Sequence, residues 1–299
     1  MSNILRKENV KLGFIGLGLM GSQFLRRLNA EGWNVRGWNR SRTTTPALRN
    51  SGFQIEEALP NLVRGADVLL SSLADDNAVR AVYRGDDGVF AHVQPGTIIL
   101  EMSTISLELS ALLHEEAAKH GAKLIDLPVS GSTPAVEAGA VTLFGGGEQE
   151  TFIRCVPIFT SIARQWYLMG PATAGIRMKL VVNLLLGMNM EAIAEAVSFG
   201  ELLNLNRNVL LDVLPKTAVI APAFSGKFSK IKSEDYSPQF PLHLMNKDLR
   251  LVQNAATQLG AALPAASATI DTFAKAVGDW GALDISAIAS YVRALIKSK

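Results

Sequence analysis

The stretch that decides the fold is KLGFIGLGLMGSQFLRRLNAEGW, residues 11–33. An apolar run ends at Gly16, and Gly16, Gly18 and Gly21 form the pattern G-x-G-x-x-G before a predicted helix over 20–31. The first glycine permits a tight turn, the second lets the backbone approach a pyrophosphate, and the third packs the helix on the strand. The helix N-terminus then faces the phosphates. The stretch therefore predicts a dinucleotide-binding turn.

Short apolar runs continue through the first half of the chain and alternate with helical segments. The runs are KLGFIG, WNVRGWN, DVLLSSL, TIILEMS, KLIDLPV, VTLFGGG and QWYLM. Helices are predicted between most of them, over 20–31, 46–51, 77–83, 106–120 and 148–163. Strands that alternate with helices predict a mainly parallel, doubly wound sheet.

The pattern changes after about residue 170. Residues 173–203 read as one long helix that is apolar on several sides, which predicts burial between two domains. The segments beyond it are helical, and no comparable series of strands returns. The predicted fold is α/β: a Rossmann-like domain over 1–171 and an all-helical domain over 172–299, joined by the long helix.

The end of the second predicted strand bears on the choice of cofactor. NAD-binding proteins usually carry an acidic residue there, which holds the ribose 2′-hydroxyl. This chain has Asn39-Arg40-Ser41-Arg42-Thr43, without a carboxylate that would repel a phosphate. Two guanidinium groups and several hydroxyls suit the 2′-phosphate of NADPH. The alternative is a solvated turn whose arginines bind nothing.

A lysine and an asparagine interrupt the apolar face of the long helix. Lys179 and Asn183 are four residues apart and therefore share one face. Burying an unpaired ammonium is costly, so the lysine either extends to the solvent rim or faces a cleft. In a cleft beside a nicotinamide, it can protonate the oxygen of a carbonyl that receives a hydride.

A loop of small residues follows another predicted strand. Ser130-Gly131-Ser132 comes directly after the apolar run that ends at Val129. Ligands of open α/β sheets bind at the carboxyl ends of the strands. Hydroxyls and exposed backbone N–H groups at this loop suit a substrate carboxylate. The alternative is an ordinary Ser/Gly turn.

Composition narrows the possible classes of protein. The 299 residues are 48% hydrophobic and 19% charged, with a formal net charge of +2. No basic block predicts binding to nucleic acid or to a membrane surface. Cys155 is the one cysteine, the four histidines lack metal-ligand spacing, and no metal site is predicted. No signal peptide or membrane span is recognised, so we expect a soluble cytoplasmic protein.

Six motifs, in order and spacing, resemble the β-hydroxyacid dehydrogenase family over nearly the whole chain. They are GFIGLGLMG, WNRS, EMSTIS, DLPVSGS, GIRMKLVVN and FPLHLMNKDLRL. The likeness is greatest to the branch of glyoxylate/succinic semialdehyde reductases. It implies NADPH-dependent reduction of small aldehyde-acids, such as glyoxylate to glycolate and succinic semialdehyde to 4-hydroxybutyrate. Homodimers or homotetramers are usual in the family, and the partner expected is a small carboxylate-bearing aldehyde or hydroxyacid.

The resemblance also implies roles for individual residues. Lys179 is the expected proton donor, with Asn183 beside it. The expected substrate contacts are Ser130, Gly131, Ser132, Phe240 and Asp248. The expected cofactor contacts are Gly16, Gly18, Leu19, Met20, Gly21, Asn39, Arg40, Ser41, Leu73, Ala74, Ser103, Thr104 and Lys247.

Some positions depart from the family pattern. Glu101 stands where aspartate is usual, and Thr173 stands where a further glycine is frequent. Thr173 is a candidate cap for the long helix. Other functions remain open at this point: oxidation of 3-hydroxyisobutyrate with NAD, reduction of imines, and a non-catalytic dinucleotide-binding scaffold. The presence of Lys179 argues against the last two.

Overall fold

The computed structural model describes residues 4–43 and 45–297, which form two compact units. One unit ends at Lys179 and the other begins at Leu180. The first unit contains a sheet with flanking helices, and the second is helical. This arrangement confirms the predicted fold class. The predicted domain boundary between residues 171 and 172 stays a prediction.

Within the described residues, the first unit contains eight strands. They are β1 (Lys11–Ile15), β2 (Asn34–Trp38), β3 (Val68–Ser71), β4 (Ile98–Glu101), β5 (Lys123–Asp126), β6 (Val129–Ser130), β7 (Val141–Gly146) and β8 (Ala163–Gly170). The sheet order is β2-β1-β3-β4-β5-β7-β6, with β8 beside β7. The order of the strands switches direction at β1, because β2 lies on one side of β1 and β3 lies on the other. Ligands bind at such a switch point in doubly wound sheets.

The first five strands are parallel, as predicted, and the remainder of the sheet is mixed. β7 is antiparallel to both β5 and β6, whereas β8 runs parallel to β7. The links between β5, β6 and β7 are too short for a parallel crossover, which explains the reversal. The longer link from β7 to β8 contains helices, and those two strands are parallel.

The helices of the first unit follow most of the predicted segments, with two corrections: one predicted helix is divided, and three short helices, over 59–64, 89–92 and 133–137, were not predicted. They are α1 (Leu19–Ala30), α2 (Thr45–Asn50), α3 (Leu59–Arg64), α4 (Asp76–Tyr83), α5 (Val89–His92), α6 (Leu107–Lys119), α7 (Thr133–Glu137), α8 (Gln149–Arg154) and α9 (Val156–Ile162). The single helix predicted over 148–163 is wrong. It is divided at Cys155, and Pro157 lies in the first turn of α9, where a missing N–H is tolerated.

The remaining helices complete the second unit. They are α10 (Ala174–Leu202), α11 (Arg207–Val213), α12 (Ser225–Ser233), α13 (Leu242–Gln258), α14 (Pro264–Trp280) and α15 (Ile288–Lys297). α10 begins in the first unit and continues into the second. Its close packing on α13 depends on Gly187, because an added Cβ there would lie 2.9 Å from the Leu249 side chain.

α10 is long and apolar enough to cross a membrane, judged by length and composition alone. In the structure, 44% of its most apolar window is buried. The prediction that α10 is buried is wrong for one side of the helix. Val181, Leu185, Phe199 and Leu202 are each more than half exposed.

Candidate active site

The three glycines of the first loop have distinct structural roles. Gly16 has φ +90°, and a Cβ there would overlap the carbonyl oxygen of Ser72. Gly18 is the N-cap residue of α1, and nothing lies within 4 Å of a Cβ added to it. A Cβ on Gly21 would overlap the carbonyl oxygen of Gly16. The loop is therefore tightly built at both ends and open in its middle.

The open part of the loop fits a pyrophosphate. The N-cap of α1 makes no side-chain hydrogen bond, so its first-turn N–H groups are not satisfied by a capping side chain. Leu19 and Met20, the first two residues of α1, are exposed and half-buried respectively. A helix N-terminus with uncapped N–H groups binds anions well. The glycine loop thus suits the diphosphate of a dinucleotide.

The loop after β2 contacts the glycine loop through Asn39. Its Oδ1 accepts a hydrogen bond from Leu17 N at 2.9 Å, and its Nδ2 donates to Ser41 O at 2.8 Å. Asn39 therefore occupies the end of the strand without adding a negative charge. Arg40 and Ser41 are exposed. Both are placed on a loop that is hydrogen-bonded to the predicted pyrophosphate site.

The loops after β3 and β4 are joined by a buried hydrogen-bond network. Leu73 N donates to Ser103 Oγ at 2.8 Å, and Ser103 N donates to Glu101 Oε1 at 2.8 Å. Glu101 is fully buried and also accepts a hydrogen bond from Ser71 Oγ. Burial raises the pKa of Glu101, although its serine hydrogen bonds oppose the shift.

This network brings together two predicted cofactor-binding loops. Ala74 is exposed and Thr104 is half-buried on the same two loops. Sequence reasoning missed the part played by Glu101 and treated it only as a departure from the family pattern. A charged residue inside the apolar run TIILEMS was the available signal, because such residues are buried only when they are hydrogen-bonded.

The Ser130–Ser132 loop connects β6 to α7. Gly131 has φ +150°, and a Cβ there would lie 2.8 Å from the Val141 side chain. Ser132 is the N-cap of α7 but makes no side-chain cap bond. Both serines are half-buried. Both residues are therefore partly accessible, next to a glycine whose conformation other residues rarely adopt.

Asp126 holds the beginning of α10. This buried residue ends β5, and its Oδ1 accepts hydrogen bonds from Thr173 N and His114 Nε2, at 2.9 and 2.8 Å. Its Oδ2 accepts from Ile176 N at 2.9 Å. Thr173 has φ +72°, which is strained for a β-branched residue. The carboxylate of Asp126 therefore caps two N–H groups at the start of α10, and the capping role of the Thr173 side chain stays a prediction.

Gly175 allows this close approach, and we expect Gly175→Ala to destabilise the protein by roughly 1–3 kcal/mol. The new Cβ would overlap Phe144 O and lie 2.7 Å from Asp126 O, and backbone atoms cannot move aside easily. Thermal unfolding of the variant measures the effect.

Gly278→Ala in α14 is the matched control. Nothing lies within 4 Å of a Cβ added there, and alanine is the better helix former. We expect this second variant to gain about 0.5–1 kcal/mol. A melting temperature that is unchanged or raised in Gly175→Ala would contradict the packing described for α10.

The second unit brings together three of the predicted residues. Asn183 Nδ2 donates to Asp248 Oδ2 at 2.5 Å, and Lys247 Nζ lies 2.8 Å from Asp248 Oδ1. Asn183 and Asp248 are buried. Asn183 Oδ1 is buried and has no hydrogen-bond partner among the described residues. The buried amide therefore retains an acceptor for a further donor.

Phe240 precedes α13 and is held by a buried carboxylate that sequence reasoning missed. Asp284 Oδ2 accepts hydrogen bonds from Gln239 N at 3.0 Å and Phe240 N at 3.2 Å. Lys227 Nζ lies 2.8 Å from its Oδ1. Burial alone would raise the pKa of Asp284, but Lys227 and the Ser286 hydrogen bonds outweigh it and lower that pKa below 3.8.

Comparison with known proteins gives matches over both units. Residues 11–170 match the NAD binding domain of 6-phosphogluconate dehydrogenase. Residues 173–292 match the NAD-binding domain of NADP-dependent 3-hydroxyisobutyrate dehydrogenase. The chain is 29% identical to glyoxylate/succinic semialdehyde reductase 1 of Arabidopsis thaliana, over 95% of this chain and 99% of that protein.

Two further proteins extend the comparison. The chain is 32% identical to the NAD-dependent L-serine dehydrogenase of Pseudomonas aeruginosa, over 88% of this chain and 91% of that protein. The solved structure of Psf3 in complex with NADP+ and 2-OPP matches with a TM-score of 0.88 and 27% identity. That match covers 94% of this chain and 99% of the other.

The glycine loop, the sheet order and the matched domains define an NAD(P)-dependent oxidoreductase with a Rossmann-like unit and a helical unit. The chain belongs to the β-hydroxyacid dehydrogenase family.

Proposed function

We propose that the protein reduces small aldehyde-acids with NADPH, forming glycolate from glyoxylate and 4-hydroxybutyrate from succinic semialdehyde. The observation that carries this proposal is the arginine-bearing loop after β2, where Asn39 replaces a carboxylate beside the glycine loop. The likeness to a plant glyoxylate/succinic semialdehyde reductase over 95% of the chain supports the substrate class.

The residues of the first unit provide the proposed binding contacts. The glycine loop and α1 receive the pyrophosphate, and Arg40 and Ser41 receive the 2′-phosphate. The loops at Leu73 and Ser103 flank the nicotinamide, which supplies a hydride to the carbonyl carbon when NADPH is bound. The Ser130 and Ser132 hydroxyls, with the backbone at Gly131, receive the substrate carboxylate.

Lys179 is the proposed proton donor. Its ammonium donates a proton to the carbonyl oxygen as that oxygen gains negative charge. Asn183 lies one helical turn later, with its Nδ2 bound to Asp248. Its unsatisfied Oδ1 is the proposed acceptor for a donor on Lys179 or on the substrate. In the second unit, Phe240 and Asp248 are the proposed substrate contacts, and Lys247 is the proposed cofactor contact.

A second candidate function is the oxidation of 3-hydroxyisobutyrate or a similar hydroxyacid. It is favoured by the match of residues 173–292 to the 3-hydroxyisobutyrate dehydrogenase domain. The same residues serve both directions, because Lys179 in its neutral form accepts the proton that it donates in reduction. NADH is the alternative cofactor, as in the L-serine dehydrogenase relative.

Initial rates with saturating cofactor distinguish these substrates. Purified protein is assayed for reduction of glyoxylate, succinic semialdehyde, methylmalonate semialdehyde and a cyclic imine, and for oxidation of 3-hydroxyisobutyrate. We expect the greatest kcat/KM with glyoxylate or succinic semialdehyde. A greater kcat/KM with methylmalonate semialdehyde and 3-hydroxyisobutyrate would favour the second candidate. Activity with the imine alone would contradict both.

The cofactor preference is tested by Arg40→Asp. Because a carboxylate in place of Arg40 repels the 2′-phosphate and suits the 2′-hydroxyl, we expect the ratio of kcat/KM for NADPH over NADH to fall at least ~10-fold. Arg164→Asp on β8 makes the same change of charge on an exposed residue of the same unit. This control should keep the wild-type ratio. An unchanged ratio in Arg40→Asp would show that the 2′-phosphate binds elsewhere.

We also propose that the enzyme acts as a homo-oligomer in the cytoplasm. Exposed apolar side chains continue along the second unit from the end of α10 into α11: Phe199, Leu202, Leu203, Leu205 and Val209. Each is more than half exposed, and contiguous apolar surfaces of this kind are typical of protein interfaces. Light scattering of the purified protein measures the number of subunits.

A further inference from the structure

We infer that Asp126, together with His114, is a positioning residue for Lys179. This inference rests on the proposed role of Lys179 as proton donor. Asp126 and His114 have no assigned part in that chemistry. Their contacts instead fix the first turn of the helix that carries the lysine.

The carboxylate of Asp126 accepts hydrogen bonds from the start of α10 and from His114. It is fully buried, and it accepts three hydrogen bonds of 2.8 to 2.9 Å. Two of the donors are the N–H groups of Thr173 and Ile176, at the first turn of the helix. A negative charge at this position also interacts favourably with the helix dipole.

The surrounding backbone leaves the helix start little room to move. A Cβ added to Gly146 would lie 2.5 Å from Asp126 Oδ1, and one added to Gly175 would lie 2.8 Å from Asp126 Oδ2. Thr173 retains a left-handed conformation that costs energy for a β-branched residue. The hydrogen bond from its N–H to Asp126 helps to maintain that conformation. The helix start is therefore held against the ends of β5 and β7.

Lys179 is close to this anchored turn. It follows Ile176 by three residues, which corresponds to about 4.5 Å along the helix axis. It also belongs to the same compact unit as Asp126 and His114. A shift of the first turn consequently displaces the lysine, and a misplacement of about 1 Å can cost ~10²-fold in rate.

His114 provides the third hydrogen bond to the carboxylate of Asp126. Because an ionised carboxylate only accepts hydrogen bonds, His114 Nε2 is the donor in the 2.8 Å contact with Asp126 Oδ1. His114 comes from α6, so the carboxylate is held between a strand, a helix and the start of α10. Removing this donor leaves a buried acceptor less satisfied and frees the carboxylate to rotate.

Turnover of glyoxylate with NADPH tests the inference in a double-mutant cycle. Asp126→Asn replaces one acceptor oxygen by an amide NH₂, which donates but does not accept, so the N–H of either Thr173 or Ile176 loses its acceptor. We expect kcat to fall at least ~10-fold while the Kd of NADPH is unchanged. In the Lys179→Ala background, Asp126→Asn should have almost no further effect on the residual kcat, because residues that act through one group are not additive.

Three companion variants separate positioning from a general loss of stability. His114→Leu should lower kcat, and His114→Gln should restore most of it because its Nε2 can donate in place of the imidazole. Asn206→Ala removes a comparable cap from α11, where the Asn206 side chain accepts from Asn208 N and Val209 N. This control should lower the melting temperature without lowering kcat.

The outcomes distinguish this inference from the proposed function. Equal losses of kcat from Asp126→Asn in the wild-type and Lys179→Ala backgrounds would overturn the inference and leave the role of Lys179 intact. Wild-type kcat in both Asp126→Asn and His114→Leu would also overturn it. Near-normal turnover of Lys179→Ala alone would reject the proposed proton donor, and with it the reason for positioning that residue.

Discussion

Replacing Lys179 with alanine should lower kcat for aldehyde reduction by at least ~10²-fold, the contribution typical of general-acid catalysis. The hydride can still be delivered to the carbonyl carbon, but the oxygen then develops negative charge without a donor. The affinity for NADPH should change little, because the predicted pyrophosphate and 2′-phosphate contacts lie on the loops after β1 and β2 and not on α10. Stopped-flow or steady-state assays measure kcat, and fluorescence titration measures the Kd of NADPH.

Lys275→Ala is the matched control for this experiment. Lys275 is an exposed lysine on α14, so its truncation removes the same side chain without touching the proposed site. We expect wild-type kcat for this variant. If Lys179→Ala kept near-normal turnover, the assigned proton transfer would be wrong, and the position of that lysine on the helix would need another explanation.

The second large effect is expected for Asp284→Ala, which should lower the free energy of unfolding. Asp284 is fully buried and pairs with Lys227, whose side chain is 11% exposed. Removing one partner of a buried pair leaves an uncompensated charge and typically costs about 3–5 kcal/mol. The variant also loses the acceptor for Gln239 N and Phe240 N. Chemical denaturation should therefore show a large fall in the free energy of unfolding.

Asp212→Ala provides the comparison for an exposed ion pair. Asp212 binds Lys232 at 2.6 Å, but both side chains are more than 40% exposed. Exposed pairs contribute little to stability, so this variant should unfold at nearly the wild-type denaturant concentration. Equal effects of the two substitutions would contradict the importance assigned to the buried pair.

The contribution of Asp284 should also depend on pH in a definite direction. Its folded pKa is lowered below 3.8, so the native state binds the proton less tightly than the unfolded state. The stabilisation is therefore present above the unfolded pKa and is lost as the pH falls through the folded pKa. We expect the stability difference between wild type and Asp284→Ala to be constant near neutral pH and to shrink below about pH 4.

Local sequence patterns predicted the elements whose geometry depends on neighbouring residues. The G-x-G-x-x-G pattern predicted the glycine loop, in which a Cβ on Gly16 or Gly21 would overlap a backbone carbonyl oxygen and Gly18 leaves the middle of the loop open. The i, i+4 spacing of Lys179 and Asn183 placed both on α10. The fold class followed from alternating strands and helices and is confirmed. The individual site residues remain predictions.

The carboxylates that hold the loops escaped prediction because their partners are distant in sequence. Asp126 contacts groups 47 and 50 residues later, and Asp284 contacts Lys227, 57 residues earlier. No local periodicity encodes such pairings. Asp126 lies in the apolar run KLIDLPV, so a search for charged residues within apolar strands would have found it, as it would Glu101.

The sequence pattern also did not predict the direction of the last strands. The short apolar runs VTLFGGG and QWYLM identified β7 and β8 as strands but carried no information about their neighbours. The short links around β6 set the antiparallel pairing with β7, and loop length becomes informative only when the strand ends are known.

The most direct test of the central claim is the initial rate of glyoxylate and succinic semialdehyde reduction by the wild-type protein, with NADPH and NADH assayed in parallel. We expect rapid consumption of NADPH with at least one of the two aldehydes and a markedly lower kcat/KM with NADH. Equal or greater efficiency with NADH, or no consumption of NADPH with either aldehyde, would contradict the proposed function.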